Sequence, residues 1–263
     1  MPASESNGFK IVIPARFAST RFPGKVLTEI AGKPMLAHVY DRAVEAGAGE
    51  ILVAGDSELI AGFCESCNIP YIETSPDHTN GTERIAEVVN KLGWPADTVI
   101  VGLQCDEPAT PPAIVRQVAN NLLQQSGADI ATLCSRIENA TTYHDTNRVK
   151  VVTDVNGFAL YFSRSPIPWR RDAVAEKKDL TEFPESYVHI GMYAYRASFL
   201  SAYTSLSETL YEREEKLEQL RALGHGFKIH VAEADAPPSH GVDSEKDVAE
   251  AERAVLELLG QHG

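Results

Sequence analysis

The chain has 263 residues, of which 43% are hydrophobic and 23% charged, the balance of an ordinary soluble globular protein. Lys and Arg number 24 against 37 Asp and Glu, a formal net charge of −13. That balance argues against a duplex-DNA or RNA binder, which needs a basic face for phosphates, but leaves room for one nucleotide in a locally basic pocket. No apolar run approaches the roughly 20 residues that span a bilayer. The acidic start, Met1 to Gly8, lacks the basic and apolar regions of a secretory signal, so a cytoplasmic location and no membrane partner are expected. Cys64, Cys67, Cys105 and Cys134 are scattered as in a reduced protein. The C-x-x-C pair at 64 and 67 lies in a helical pattern with no second ligand pair nearby, and reads as two small apolar residues on one turn.

Lys10 to Pro14 is a short apolar strand, followed at once by a polar loop from Ala15 to Lys25. A helix pattern covers Met35 to Ala46, then a strand Glu50 to Ala54, a helix Glu58 to Cys67 and a short strand Tyr71 to Glu73. Gly81 to Leu92 carries Ile85, Val88, Val89 and Leu92 at helical spacing. Thr98 to Leu103 is a buried strand, and Pro111 to Gln125 a helix opened by two prolines. Alternating helices and continuous apolar strands imply an α/β fold with a mostly parallel sheet. Beyond residue 135 the pattern changes. Val149 to Thr153 and Ala159 to Ser163 flank Asn156-Gly157, a hairpin signal. Residues 165 to 188 read as an irregular loop, His189 to Arg196 as a strand, Tyr211 to Leu223 as one charged helix, and Lys228 to Glu233 as a strand. Ser244 caps a terminal amphipathic helix that runs to Leu259.

Ligands of open parallel sheets bind beyond the carboxyl ends of the strands, and two such ends are unusually polar. After the first strand, Arg16, Arg21 and Lys25 share a loop with Ser19, Thr20 and Gly24, a local anion trap in an acidic chain. It is not a Walker A loop, since Ser19 and Val26 stand where Gly and Ser/Thr are required. After the strand at 98–103 come Asp106 and Glu107, which suggest a hard cation bridging carboxylate and phosphate. Asp243, just before the terminal helix, reads as a second metal ligand or as part of the helix start. No signature of hydride transfer or acyl hydrolysis is present.

The run Ile13 to Lys25, IPARFASTRFPGK, resembles the nucleotide-binding signature of the sugar-acid cytidylyltransferases. Further stretches are similar to members of that family that act on the eight-carbon acid 3-deoxy-manno-octulosonate (Kdo): GKPML at 32–36, DHTNGTERIAEVV at 77–89, LQCDEP at 103–108, VKVVTD at 149–154, ALYFSRSPIPW at 159–169, HIGMYAYR at 189–196, LEQLR at 217–221 and GVD at 241–243. They occur in order over residues 9 to about 253. The resemblance implies a Rossmann-like nucleotidyltransferase domain over 9–253, a dimerisation insertion within about 136–200, flexible or helical tails at 1–8 and 254–263, and a homodimer. It also implies that the anomeric C2 hydroxyl of Kdo attacks the α-phosphorus of CTP, giving CMP-Kdo for lipopolysaccharide synthesis and pyrophosphate. By that resemblance Arg16 and Lys25 hold the triphosphate, with Ser19 in the same nucleotide loop, and Ala15, Gly81 and Thr82 help select cytosine. Asp106 and Asp243 hold Mg²⁺, and Arg84, Gln104, Arg164, His189, Tyr193, Glu218 and Gln219 line the sugar pocket, with Arg164 or Arg84 meeting the sugar carboxylate. Taken singly, His189 and Tyr193 also read as core residues, and Glu218 and Gln219 as a solvated helix face.

The chain departs from the family pattern at several positions. Cys105 replaces a glycine, Gly102 stands where asparagine is common, and Gly55 where threonine is. Val188 replaces a basic residue and Val26 a proline. The same chemistry on 8-amino-Kdo or a sialic acid, and a catalytically impaired nucleotide-binding paralogue, remain the alternatives.

Overall fold

The computed structural model describes residues 7–18, 22–171, 183, 186–239 and 241–260. Its sheet is organised around β1 (Asn7–Ala15), which pairs in parallel with β4 (Ala48–Gly55) on one side and β6 (Val99–Gly102) on the other. Outside β4 lies β5 (Tyr71–Glu73), again parallel. Outside β6 comes β10 (Tyr187–Arg196), which is antiparallel both to β6 and to the next strand, β7 (Ile130–Arg136). β11 (Ile229–Glu233) ends the row in parallel with β7. The order is β11-β7-β10-β6-β1-β4-β5, with β8 (Lys150–Thr153) and β9 (Ala159–Ser163) attached at the start of β10. A separate two-stranded ribbon joins β2 (Glu29–Ile30) to β3 (Lys33–Pro34). This is the mostly parallel α/β sheet that the sequence pattern implies, with one reversed strand inside it.

Alternation along β1 explains why that strand is central. Ile11, Ile13 and Ala15 point to one face and Val12 to the other, and all four are fully buried. The first face is covered by α1 (Met35–Ala46), through Leu36, Val39 and Ala43, and by α4 (Pro112–Gln124), through Ile114, Val118 and Leu122. The second is covered by α3 (Gly81–Leu92), through Ile85, Val88 and Val89, and by α6 (Ala197–Tyr203), through Phe199 and Leu200. Each of the Val, Leu, Ile and Phe side chains among these stabilises the fold by about 1.5–3 kcal/mol on full burial. Gly47, at φ 75°, ends α1 in the left-handed conformation that glycine takes without a Cβ penalty. Asn80 starts α3 by accepting the Glu83 N–H at 2.8 Å. In α2 (Glu58–Ser66) Cys64 turns into the core, while Cys67 just past the helix is exposed, so the C-x-x-C pair is split between core and surface.

Several elements differ from the sequence reading, the short β2–β3 ribbon among them. β7 was not read as a strand, and α5 (Ala140–His144) and α6 were not read as helices. The region read as one charged helix at 211–223 is two helices, α7 (Leu210–Glu215) and α8 (Gln219–Gly224), broken where Lys216 takes φ 54°. The break has a tertiary cause. Glu212, buried and in a capping box with Thr209, accepts Arg221 N–H groups at 2.6 and 2.8 Å across the bend. The terminal helix, α9 (Val248–Gly260), begins after a short 3-10 turn at Glu245–Asp247. β10 falls within the range expected for an insertion, yet it is a middle strand of the sheet. No helix among the described residues is long and apolar enough to cross a membrane.

Candidate functional site

The carboxyl ends of β1, β4 and β6 open on one edge of the sheet. Just past β1, Arg16 is exposed and borders a polar cavity of about 330 Å³. Gly24, at φ 71°, turns the chain back so that Lys25 opens a 3-10 turn and enters the same cavity. Lys25 Nζ donates to Asp106 Oδ2 at 2.7 Å and to the Val242 carbonyl at 3.0 Å. The Val242 N–H in turn donates to the Asp106 carbonyl at 2.8 Å. Three segments far apart in sequence are thereby joined, and Asp243 is carried to the neighbourhood of Asp106. The start of α9 is organised by Ser244 and Asp247, whose carboxylate accepts the Asp243 and Ser244 N–H groups at 3.0 and 2.7 Å. Asp243 is therefore not the cap of that helix.

The opposite wall of the cavity is the start of α3, with Gly81 and Thr82. A Cβ on Gly81 would lie 3.3 Å from the Pro14 ring, so the glycine permits the close approach of α3 to the end of β1. The approach to this helix is braced from behind. Glu87 accepts the Ser75 N–H at 2.9 Å and pairs with Lys91 at 2.7 Å and with His78. Its partial burial works to raise the carboxyl, but these hydrogen bonds and the Lys91 charge outweigh that and bring it down to about 2. Arg84, 3% exposed, donates to Asp56 Oδ2 at 2.7 Å and to Thr74. Asp56 also accepts the Phe17 N–H at 3.1 Å, tying the loop after β1 to the loop after β4.

A second cavity, of about 300 Å³ and mainly apolar, shares Thr82, Tyr193, Tyr195 and Glu218 with the first. Its wall is the overhanging start of β10. Tyr193 pairs opposite Gly102, the last residue of β6, so residues 187–192 project past the end of that strand. Against β7 the register slips between Ile190 and Tyr193, a bulge next to the cavity. The Thr132 hydroxyl pins the bulge by donating to the Ile190 and Met192 carbonyls, at 3.0 and 2.8 Å. With its proton so used, Thr132 Oγ1 accepts from His189 Nε2 at 2.9 Å, which leaves Nδ1 as an acceptor. Burial pushes His189 down to about 3, so the ring is a neutral imidazole at working pH. Tyr193 and Tyr195 stack at 5.7 Å, and burial holds both phenols well above their ordinary range. Burial raises the Glu218 carboxyl, although the Arg221 charge opposes this.

Most of the residues named from the sequence thus come together. Arg16, Lys25, Asp106, Gly81, Thr82, Gln104 and Arg84 border the polar cavity, and His189, Gln219, Tyr193 and Glu218 the apolar one, the last two bordering both. Ala15 is fully buried beneath the loop. Ser19 lies outside the described residues. Arg84 reaches the cavity edge with its guanidinium committed to Asp56 and Thr74. Arg164 does not border either cavity: its N–H and Nε donate to Glu215 at 2.9 and 2.7 Å, and a terminal nitrogen to the Thr146 carbonyl at 3.0 Å. The sequence reading missed Asp56, Tyr195, Tyr203 and Lys216. Asp56 was within reach, since it follows a strand end as Asp106 does. The departures from the family pattern also find their places. A Cβ on Gly55 would meet the Tyr71 ring at 2.8 Å, and one on Gly102 would meet Ile85 Cδ1 at 2.7 Å, so these neighbours occupy the space of the missing side chains. Val188 packs with Ile137, Tyr143 and Phe183, and Val26 is buried. Cys105 is 5% exposed and belongs to the core under α1 and α4, and burial pushes its thiol well up. Cys105 nevertheless borders the polar cavity beside Asp106.

The described family model for cytidylyltransferases matches residues 10–229 of this chain. The 3-deoxy-manno-octulosonate cytidylyltransferase of Marinobacter nauticus is 48% identical over 260 residues, 97% of this chain and 99% of its own. That of Vibrio parahaemolyticus is 48% identical over 248 residues, 94% of this chain and 98% of its own. Among solved structures, a CMP:2-keto-3-deoxy-manno-octonic acid synthetase complexed with CTP superposes with a TM-score of 0.84 at 38% identity, covering 97% of this chain and 100% of its own.

Proposed function

This chain belongs to the cytidylyltransferase family, and from that premise we propose that it transfers CMP from CTP to the anomeric hydroxyl of Kdo, giving CMP-Kdo and pyrophosphate for lipopolysaccharide synthesis. The observation that carries the reading is the Lys25–Asp106 pair at two strand ends, in a polar cavity that shares a wall with an apolar cavity of small-molecule size. In this reading the triphosphate lies along Arg16 and Lys25, whose charges neutralise the phosphates and stabilise the departing pyrophosphate. Gly81 and Thr82 face the nucleotide from α3. The sugar lies in the apolar cavity, its anomeric carbon toward the shared wall and Gln104. His189, held neutral with Nδ1 as acceptor, takes a hydrogen bond from a sugar hydroxyl, and Glu218 and Gln219 approach from the break between α7 and α8. Arg164 supports that break from behind.

The donor set suits Mg²⁺. Asp106 and Asp243 lie on segments that hydrogen-bond to one another, and Mg²⁺ commonly takes one or two carboxylates and completes its shell with phosphate oxygens and water. Asp106 and Asp243 would hold it. When bound, it supplies charge neutralisation at the phosphates and lowers the pKa of the attacking hydroxyl. We also propose a homodimer built on the region between β7 and β10. Leu160 and Trp169 support this, since they leave 63% and 61% of their surface exposed there. A cytoplasmic location fits substrates of this kind. Pyrophosphate release with CTP, Kdo and Mg²⁺ tests the reaction. Turnover of Kdo that requires both CTP and Mg²⁺ is expected. Turnover of 8-amino-Kdo or a sialic acid without turnover of Kdo would move the specificity, and none with any of them would leave a nucleotide-binding paralogue.

A further inference from the structure

Asp243 ends a segment that has no helix or strand among its described residues, between β11 and the 3-10 turn at Glu245–Asp247. Side chains, rather than a backbone ladder, set its course. Gln117 of α4 holds the start: its Nε2 donates to the Glu233 carbonyl at 2.7 Å, and its Oε1 accepts the Asp235 N–H at 3.0 Å. Val242 joins the end to Lys25 and to the Asp106 backbone. Between these two points lies Thr110. It is 1% exposed, and its hydroxyl donates to Glu107 Oε2 at 3.1 Å. With its proton so used, Thr110 Oγ1 accepts from the Ser239 hydroxyl at 3.2 Å. One buried hydroxyl therefore ties the neighbour of Asp106 to the segment that delivers Asp243.

That hydroxyl is not spent on the helix that follows, since α4 starts at Pro111 with no side-chain cap. Thr110 borders neither cavity, so any influence on the chemistry passes through its two partners. The tied segments run close together. A Cβ on Gly241 would lie 3.7 Å from the Asp106 carbonyl oxygen and 3.8 Å from Glu107 Cγ. Mg²⁺ demands near-ideal octahedral geometry, so two carboxylates can share it only if their spacing is fixed. Hydrogen bonds behind the ligands decide how tightly such an ion is held. We propose that Thr110 is a positioning residue which, with Glu107 and Ser239, sets the approach of Asp243 to Asp106 and thereby the affinity of the site for a divalent cation. The inference rests on the Mg²⁺ reading above. It adds a residue that touches neither the ion nor a substrate, found in the chain of hydroxyls beneath the site.

Mn²⁺, which takes the same octahedral oxygen shell, is the probe. It is added with CTP and without Kdo, and water-proton relaxation reports the ion held on the chain. Thr110→Val keeps the shape and loses the hydroxyl, and should weaken Mn²⁺ binding by about tenfold. Thr110→Ser keeps the hydroxyl and should bind as wild type does. Ser239→Ala, at the more exposed end of the chain of hydroxyls, should shift binding in the same direction by a smaller factor. In pyrophosphate release, the Mg²⁺ concentration for half-maximal rate should rise in Thr110→Val, with KM for Kdo and the rate at saturating Mg²⁺ unchanged. Wild-type Mn²⁺ affinity in a folded Thr110→Val overturns the inference. A loss that Thr110→Ser does not rescue, or a parallel rise in KM for Kdo, marks general damage to the fold and overturns it as well. If Thr110→Val does not fold, Ser239→Ala decides alone. If Asp106→Asn and Asp243→Asn both bind Mn²⁺ as wild type does, the metal reading itself falls, and this inference with it.

Discussion

The two cavities share a wall but are built by different means. The polar one is assembled from loops at strand ends, and its functional groups are already paired: Lys25 with Asp106, Arg84 with Asp56. The apolar one is cut into regular structure, from β10, α6 and the α7–α8 break. In the polar cavity the charged side chains hold one another in place through these pairs. In the apolar cavity the side chains are fixed by packing and by single hydrogen bonds, as His189 is by Thr132 and Tyr193 by its stack on Tyr195. The first arrangement stores electrostatic preorganisation, the second the shape of a packed wall.

The largest effect should come from breaking the paired side. Asp106→Asn keeps size and hydrogen bonding but removes the charge facing Lys25, and turnover should fall by a factor on the order of 10² or more. Circular dichroism should report an intact fold. Turnover within about threefold of wild type would take Asp106 out of the machinery.

A smaller effect should come from the support beneath the apolar side. Arg164→Met removes the hydrogen bonds to the Glu215 and Thr146 carbonyls. Stability should drop by about 1–2 kcal/mol, with a rise in KM for Kdo because Glu218 and Gln219 lose their support. A melting temperature equal to wild type, with KM for Kdo still raised, would instead place the guanidinium on the substrate.

The smallest effect concerns acid. Glu87 sits at about 2 in the folded chain against 4.5 for the unperturbed group. A carboxyl depressed on folding contributes stability above its unfolded value, and loses it as pH falls through the folded one. Glu87→Gln should therefore cost about 1 kcal/mol near neutral pH, a value that allows for its partial exposure, and the gap to wild type should close between pH 4.5 and 2. Urea melts across that range measure it. A gap that does not change with pH would show that the loss is one of hydrogen-bond geometry alone.

What could be read in the sequence was whatever local chemistry decides. Gly47 and Asn80 mark helix ends, and α1 and α3 begin and end where the apolar spacing and these residues put them. Lys25 and Asp106 could be found because strand ends are where an α/β sheet binds ligands. The break at Lys216 could not. Leu210 to Leu223 consists mostly of good helix formers, and the Glu212–Arg221 and Glu215–Arg164 contacts that accompany the two helices form only in the folded chain. Tyr203 was hidden for a related reason. An aromatic residue in an amphipathic helix reads as core, which its ring is, and nothing in its spacing says that it borders a cavity. Arg84 and Arg164 show the converse. By resemblance Arg164 or Arg84 meets a carboxylate substrate, and in the folded chain Arg84 is bonded to Asp56 and Thr74 and Arg164 to the Glu215 and Thr146 carbonyls, partners that sequence spacing does not reveal.

The reversal of β10 governs how this architecture can vary. In a wholly parallel sheet, chain arrives at each strand from the side remote from the ligand. Here β7 ends and β10 begins at the ligand side, with Arg136 opposite Tyr187. The fifty residues between them, 137–186, leave and return at that same side of the sheet. Within that excursion β8 and β9 are themselves bound into the sheet, β8 pairing with β10 at Tyr187 and Val188, so only the turns between these strands are free of register. A change in those turns would leave untouched both the polar cavity, spread over separate strand ends, and the β10 wall of the apolar one.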